Sequence, residues 1–120
     1  MKNIDLHVGY DPAAARARVL RAIRQAEAGP TRPETHVTFE SWQGLSRVLT
    51  GKRLDLLRHV RRTPAASIAE LARALGRDYK RVHEDVEILS TAGLLDRTET
   101  GAVEAAYDEI RTTIDLTQAA

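Results

Sequence analysis

Residues 68–95 read IAELARALGRDYKRVHEDVEILSTAGLL, and they contain two amphipathic helix patterns with a glycine between them. In the first pattern, apolar residues recur at i, i+3, i+4 and i+7 from Ile68 to Leu75, which is the spacing of one helix face. Ser67 opens a capping box with the glutamate three residues later, and Gly76 can supply the left-handed residue that ends a helix. The sequence therefore predicts a short helix before the glycine.

A second helix is predicted directly after this turn. Asp78 can cap it, and Gly93 marks its end. Two short helices joined by so tight a connection make a helix-turn-helix. The side chains expected on the inner face of the second helix are Tyr79, Val82, Val86 and Leu89.

The residues that follow predict a hairpin and one more strand. Leu94 and Leu95 begin an extended run, and the Thr100-Gly101 pair can turn the chain back. The stretch EIRTTIDL at 109–116 alternates apolar and polar residues and predicts a strand, with a short helix as the alternative.

Upstream of the two helices, the sequence begins with a strand and a helix. Alternating apolar residues predict a strand over 3–9. Asp11 can cap a helix over 12–28 that Gly29 and Pro30 close. The apolar residues at helical spacing in this helix are Val19, Leu20, Ile23 and Ala26.

Residues 35–41 predict a second strand, and a helix over 41–49 follows it. Thr50 can cap the next helix, which Pro64 ends. The side chains expected to face inward in the upstream strands and in these two helices are Ile4, Leu6, Val8, Val37, Phe39, Trp42, Leu45, Leu54, Leu57 and Val60.

The composition is that of one small globular domain. The chain has 120 residues, of which 42% are hydrophobic, and it has no cysteine, which excludes a disulfide framework and thiolate metal sites. It shows neither an apolar run of about 18 residues nor a signal-type start. We therefore expect a soluble cytoplasmic protein without a membrane span.

Charge is distributed unevenly along the chain. Residues 51–83 carry nine Lys and Arg against three Asp and Glu, a net charge of +6. Residues 84–120 carry two against nine, a net charge of −7, although the whole chain has a net charge of only +1. The basic block therefore ends within the second predicted helix, and an acidic block follows it.

The pattern from the first of these helices to the hairpin resembles the winged helix-turn-helix domain of MarR-type and ArsR-type bacterial and archaeal regulators. Residues 68–95 carry the resemblance, with small apolar residues where the helices cross, a glycine at the turn and the apolar start of the wing. With its flanking strands, the chain is also similar to small prokaryotic winged-helix proteins described as DNA-binding or antitoxin-like regulators. The fold implied is α+β, a winged helix-turn-helix with an added N-terminal strand-helix-strand and a C-terminal strand.

The resemblance implies three parts of one compact unit. Residues 1–50 form an N-terminal strand-helix-strand-helix that serves dimerisation, residues 51–107 form the winged helix-turn-helix, and residues 108–120 form a C-terminal strand or tail. Because apolar strands do not remain as exposed edges, we expect strands 3–9 and 109–117 to pair in a sheet, within or between subunits. Two-fold operators are commonly read by dimers, so we expect a homodimer that the helix over 12–28 helps to form.

The resemblance also implies that the second helix enters the major groove of double-stranded DNA. Rotation of about 100° per residue places Arg77, Lys80 and Glu84 opposite its apolar stripe. Arg81 and His83 lie at the sides. The cations can reach phosphates or the edge of guanine, and the alternative is that they form a solvated helix face.

For three residues of this helix, the sequence leaves two alternative roles open. Tyr79 can lie in the core, or it can contact DNA through its hydroxyl. Glu84 can accept a hydrogen bond from cytosine N4, or it can pair with Lys80 four residues before it. His83 can donate to DNA, although a lone surface histidine usually has no such role.

Contacts with the phosphate backbone of DNA are also expected from residues outside the second helix. Ser67 lies at the start of the supporting helix, and Arg61 and Arg62 lie in the basic helix before it, where they can touch phosphates. The two arginines can equally be ordinary surface charges. The wing offers Arg97 among acidic residues, so we expect the wing to contribute little affinity.

No pattern points to an enzyme. The sequence contains no phosphate loop, nucleophile elbow or HExxH motif, and we expect no catalytic residue, cofactor or metal. We expect a sequence-specific DNA-binding repressor. The competing hypothesis is an antitoxin-like or other protein-interaction module whose acidic C-terminal part binds a toxin or another protein.

Overall fold

The computed structural model describes residues 2–9, 12–28, 35–114 and 116, which form an α+β fold. The helices are α1 (Pro12–Ala28), α2 (Trp42–Val48), α3 (Gly51–Arg62), α4 (Ile68–Leu75) and α5 (Tyr79–Thr91). The strands are β1 (Asn3–Val8), β2 (Thr35–Phe39), β3 (Asp96–Arg97), β4 (Val103–Glu104) and β5 (Glu109–Thr113). Each predicted helix and strand is present. Asp11, Gly29, Pro30 and Asp115, to which the sequence assigned caps or strand positions, lie outside the described residues.

A three-stranded parallel sheet joins the two ends of the chain, in the order β2-β1-β5. On its central strand, Ile4 is opposite Ile110 of β5, and Leu6 is opposite Val37 of β2. Ile4 and Leu6 are both buried in the main hydrophobic core. The two terminal strands therefore pair within one chain, which settles the alternative that the sequence left open.

The opposite face of this sheet is polar. Side chains alternate between the two faces of a strand, so Asp5 and His7 point away from the core that Leu6 enters. Nε2 of His7 lies 2.8 Å from Nδ1 of His36 on β2. Burial lowers the pKa of His7, the positive charges of Arg18 and His36 lower it further, and Asp5 opposes them. Arg18, whose charge acts on His7, belongs to α1 and is half-buried.

α4 and α5 are joined by a tight turn and pack around a shared apolar contact. Leu71, Val82 and Val86 have no exposed surface. Ser67 caps α4 by accepting a hydrogen bond from the backbone N–H of Glu70 at 3.1 Å. Gly76 ends α4 in the left-handed conformation, with φ of 63°. The sequence signals for the two helices and for the turn between them are thereby confirmed.

The hairpin after α5 is also present. β3 and β4 pair antiparallel, and the backbone N–H of Gly101 donates to the carbonyl of Thr98 at 2.9 Å to close the turn. Ala65, between α3 and α4, adds a bridge to Val103 on the other side of β4. Val103 is fully buried, so the hairpin is held by packing against the core as well as by the hydrogen bonds of its turn.

Two expectations about burial were wrong, and the alternative that the sequence left open for Tyr79 is settled. Trp42 is 50% exposed because it is the first residue of a seven-residue helix, at the edge of the core. β5 ends at Thr113, and the apolar residues after it are exposed, Ile114 at 55% and Leu116 at 92%. Tyr79, at the start of α5, is 53% exposed and lies outside the core.

The sequence patterns did not predict the burial of three core residues, Leu56, Ala65 and Val103. Leu56 is fully buried beside Leu57, which is 8% exposed. Adjacent helix residues point about 100° apart, so burial of both shows that α3 is covered over a wide arc. A single apolar stripe does not describe such a helix.

The left-handed glycine at the turn gives a test of this backbone. Replacing Gly76 by alanine is expected to lower the free energy of unfolding by about 1 kcal/mol, because a Cβ is disfavoured at positive φ. Gly51, the first residue of α3, has open space around a Cβ and no positive φ. Gly51→Ala is therefore expected to leave stability unchanged or to raise it by about 0.5 kcal/mol. Urea unfolding of both variants measures the difference, and equal effects would contradict the assigned turn.

Candidate nucleic-acid interface

An open cleft of about 820 Å³ lies between the N-termini of α3 and α5. Thr50 caps α3 by accepting from the backbone N–H of Arg53 at 3.3 Å, and Asp78 caps α5 by accepting from that of Arg81 at 3.2 Å. The exposed residues that line the cleft include Lys52, Lys80, Arg81 and Glu84. Two helix N-termini and three cations therefore face the same space, which favours an anion.

A buried carboxylate forms one wall of this cleft. Asp85, in the middle of α5, is 8% exposed. Its Oδ1 accepts from Nε of Arg53 at 3.0 Å, and its Oδ2 accepts from a terminal guanidinium nitrogen of Arg77 at 2.7 Å. One carboxylate therefore holds an arginine from α3 and an arginine from the turn before α5.

The same network reaches the end of α2. The guanidinium of Arg53 donates to the carbonyl oxygens of Arg47 and Val48, the latter at 3.2 Å. These carbonyls belong to the last turn of α2, where backbone acceptors lack partners within the helix. Through Arg53, the network joins α2, α3 and α5 in a fixed arrangement.

The structure gives Arg77 a different position from the one that helical rotation predicted. Its side chain is 21% exposed and is paired with Asp85, so it does not project with Lys80. The reason is that α5 begins at Tyr79, and the rotation of about 100° per residue does not extend to a residue before the helix. Arg77 acts here as a structural cation.

Lys80 and Arg81 are exposed as predicted, whereas the proposed pair between Lys80 and Glu84 is not formed. Within the described ranges, neither cation has an ion-pair partner, and the carboxylate of Glu84 has none either. The intrahelical explanation of Glu84 was therefore wrong. Its carboxylate remains available beside the two cations.

Tyr79 and His83 lie next to each other on the same side of α5. Their ring centroids are 5.9 Å apart and the rings are tilted by 44°. Nε2 of His83 also lies 3.9 Å from a carboxylate oxygen of Glu87. Both side chains are accessible at the flank of the cleft.

The arginines predicted in α3 are engaged elsewhere or are distant. Arg61 donates from Nε to Oδ1 of Asp108 at 2.8 Å. The backbone N–H of Lys2 and the guanidinium of Arg61 lower the pKa of the Asp108 carboxyl. Arg62 is exposed beside Arg61 in the last turn of α3, and a helix of 12 residues is about 18 Å long. These two arginines are therefore far from the cleft at the other end.

Ser67 and Arg97 also lie outside this cleft. Ser67 is the half-buried N-cap of α4, and its hydroxyl is used by the helix. Arg97 of the hairpin donates to a carboxylate oxygen of Glu87 at 3.2 Å. Of the predicted site residues, the cleft brings together Arg77, Lys80, Arg81 and Glu84, with Tyr79 and His83 beside them.

Two residues of this region were missed as site residues. They are Lys52, in the first turn of the basic helix, and Asp85, at the start of the acidic block of the sequence. The signal for Asp85 was present in the spacing, because 82, 85, 86 and 89 follow the i, i+3, i+4, i+7 pattern of the buried face. An acidic residue at such a position requires a cationic partner.

Other kinds of site receive no support from the described residues. Among them, no group of three His, Cys, Asp or Glu side chains is arranged to hold a metal ion. None of the helices in the same part of the chain has the length and apolar character needed to cross a membrane.

Removing the buried carboxylate provides a test of the network. Asp85→Asn leaves two largely buried guanidinium groups without their counter-charge, so the free energy of unfolding is expected to fall by about 3 kcal/mol. The control is Asp55→Asn, which breaks an ion pair with Arg58 whose side chains are 76% and 68% exposed. That change is expected to stay within about 0.5 kcal/mol in the same urea titration. Equal effects of the two variants would show that Asp85 does not anchor α5.

Comparison with known proteins places this region within one family. The HVO_A0114 family model matches residues 48–112, from the end of α2 through most of β5. No curated protein and no solved structure matches the chain. The matched segment covers more than half of the sequence and contains the cleft, the network around Asp85 and the hairpin. The chain therefore belongs to the HVO_A0114 family.

Proposed function

We propose that the protein binds double-stranded DNA through the N-terminal half of α5. The observation that carries this proposal is the cluster of Lys52, Lys80 and Arg81, three exposed cations around a cleft between two helix N-termini. Exposed cations that repel one another are stabilised by a polyanion, and neutralised phosphates release condensed counterions. A rigid helix that presents them can also enter the major groove.

The surrounding elements support a winged helix-turn-helix. α4 and α5 are joined by a tight turn, and the β3-β4 hairpin follows α5. The bridge between Ala65 and Val103 adds an extended segment beside β4. In the proposed complex α4 supports α5, and the hairpin lies beside the duplex.

The side chains divide into two groups by their chemistry. Lys52 and Arg81 are proposed to bind phosphates, which fixes the position of α5 on the duplex. Lys80 and Glu84 face the same way on α5 and are proposed to approach base edges, where Glu84 can accept from cytosine N4. Arg77 is assigned to positioning, because Asp85 already neutralises it.

The hairpin is expected to add little affinity. Its cation, Arg97, is paired with Glu87 on α5. Asp96 and Glu104 are opposite each other in the two short strands, and both are exposed. A negatively charged hairpin repels phosphates, so the first turns of α5 are proposed to supply most of the binding. We propose that, bound at a promoter in this way, the protein acts as a cytoplasmic repressor.

The DNA-binding proposal is tested by a matched pair of double variants. Lys80→Ala with Arg81→Ala is expected to weaken binding to duplex DNA from the protein's own promoter about tenfold or more, and to reduce the salt dependence of affinity by about one phosphate contact, that of Arg81. Fluorescence anisotropy over a series of salt concentrations measures both quantities.

The control removes two positive charges as well, but from the C-terminal half of α3, away from the cleft. Arg58→Ala with Arg62→Ala changes two exposed residues that lie away from the cleft. We expect this variant to bind nearly as the wild type does. If both double variants lose affinity to the same extent, the cleft at the start of α5 is not the DNA site.

A protein-interaction module is the second candidate function. Ile114 and Leu116 are exposed apolar side chains at the end of the acidic part of the chain. An antitoxin-like protein would use such a segment to bind a basic toxin. If no duplex is bound above background while a small protein encoded nearby co-purifies with the chain, this function replaces DNA binding.

A further inference from the structure

Helix α1 leaves its most apolar side uncovered. Val19, Leu20 and Ile23 are 60%, 54% and 49% exposed. The half-buried positions in its middle are Ala15 and Arg18, and the charge of Arg18 acts on His7 of the sheet. The helix therefore turns a small residue and a cation toward its own sheet.

The polar face of the sheet explains this orientation. Asp5, His7 and His36 lie on the side away from the core, and they offer hydrogen-bonding groups and charge. Arg18 is compatible with such a surface, whereas Leu20 and Ile23 would leave its polar groups unsatisfied. The apolar stripe of α1 thus has no binding surface within the described part of the same chain.

Four exposed residues form a regular seam along this stripe. Arg16, Leu20, Ile23 and Glu27 are spaced four, three and four residues apart, which keeps them on one side of a helix. The two apolar residues lie in the middle, a cation lies at one end and a carboxylate lies at the other. When a second, antiparallel copy of the helix lies along the seam, each cation is therefore opposite a carboxylate.

We propose that α1 pairs antiparallel with α1 of a second copy of the chain. A two-fold axis between Leu20 and Ile23 brings Leu20 of each copy against Ile23 of the partner subunit. The same axis brings Arg16 of each copy near Glu27 of the partner subunit, so two ion pairs flank the apolar centre. A parallel pair would instead place like charges together at both ends. The assembly does not depend on DNA binding, and it gives one particle two copies of α5.

The oligomeric state is measured first. Sedimentation equilibrium is carried out on the full chain at concentrations up to about 100 µM, because an interface of two short helices is small and binds weakly. The wild type is expected to be a dimer that dissociates on dilution. Leu20→Gln with Ile23→Gln keeps good helix formers on an exposed surface and is expected to be monomeric. The control, Ala17→Gln with Arg21→Gln, changes two exposed residues of α1 that lie outside the seam and is expected to remain dimeric.

The orientation is tested by exchanging charges. Arg16→Glu places two carboxylates together at each end of an antiparallel pair and is expected to raise the dimer dissociation constant about tenfold. Adding Glu27→Arg restores opposite charges and is expected to restore the wild-type constant. In a parallel pair, the single variant only replaces one like-charge contact by another, so an unchanged dissociation constant would overturn the antiparallel arrangement.

Two further outcomes would overturn the proposal. One is a wild-type chain that stays monomeric throughout the concentration series, and the other is a dimer that the Leu20 and Ile23 changes leave intact. Urea unfolding of each variant distinguishes loss of association from loss of folding. If a variant loses DNA binding but remains dimeric, this result concerns the proposed function and does not contradict the proposed dimer.

Discussion

The carboxylate of Asp85 is held between the guanidinium groups of Arg53 and Arg77, and the orientation of α5 depends on this contact. Transfer of such charges from water is unfavourable, so the pairing adds little net stability by itself. Its effect is that an alternative placement of α5 would leave Asp85 or an arginine without a partner. Since Arg53 also bonds to the end of α2, three helices are fixed relative to one another by one set of polar contacts.

This network also determines which charges face outward. The basic block of the sequence contains nine cations, but Arg53 and Arg77 are used inside the fold and Arg61 is bonded to Asp108. The positive potential of the cleft therefore comes from three side chains, Lys52, Lys80 and Arg81, beside two helix N-termini. A surface of this kind depends on the folded arrangement more than on the overall charge, which is only +1.

Local signals predicted most of the elements, because caps, glycines and apolar periodicity act over a few residues. Ser67, Thr50 and Asp78 each cap the helix that the sequence assigned to them. The spatial partners were harder to predict. Nothing in the sequence of β1 shows that it pairs with β2 and β5 in parallel, since pairing is decided by distant segments. Arg77 was misplaced for a related reason: helical rotation describes positions inside α5 and not the turn that precedes it.

The parallel pairing of β1 with β5 has a consequence for the order of events during synthesis. The backbone N–H of Lys2 donates to the Asp108 carboxylate, a contact between residues 106 positions apart. A ribosome releases the first strand long before the last, so the central strand of the sheet has only one of its two neighbours while most of the chain is being made. The helical pair α4 and α5 relies on contacts close in sequence and can assemble earlier. β1 therefore keeps one edge without its hydrogen-bonding partner until β5 has been synthesised.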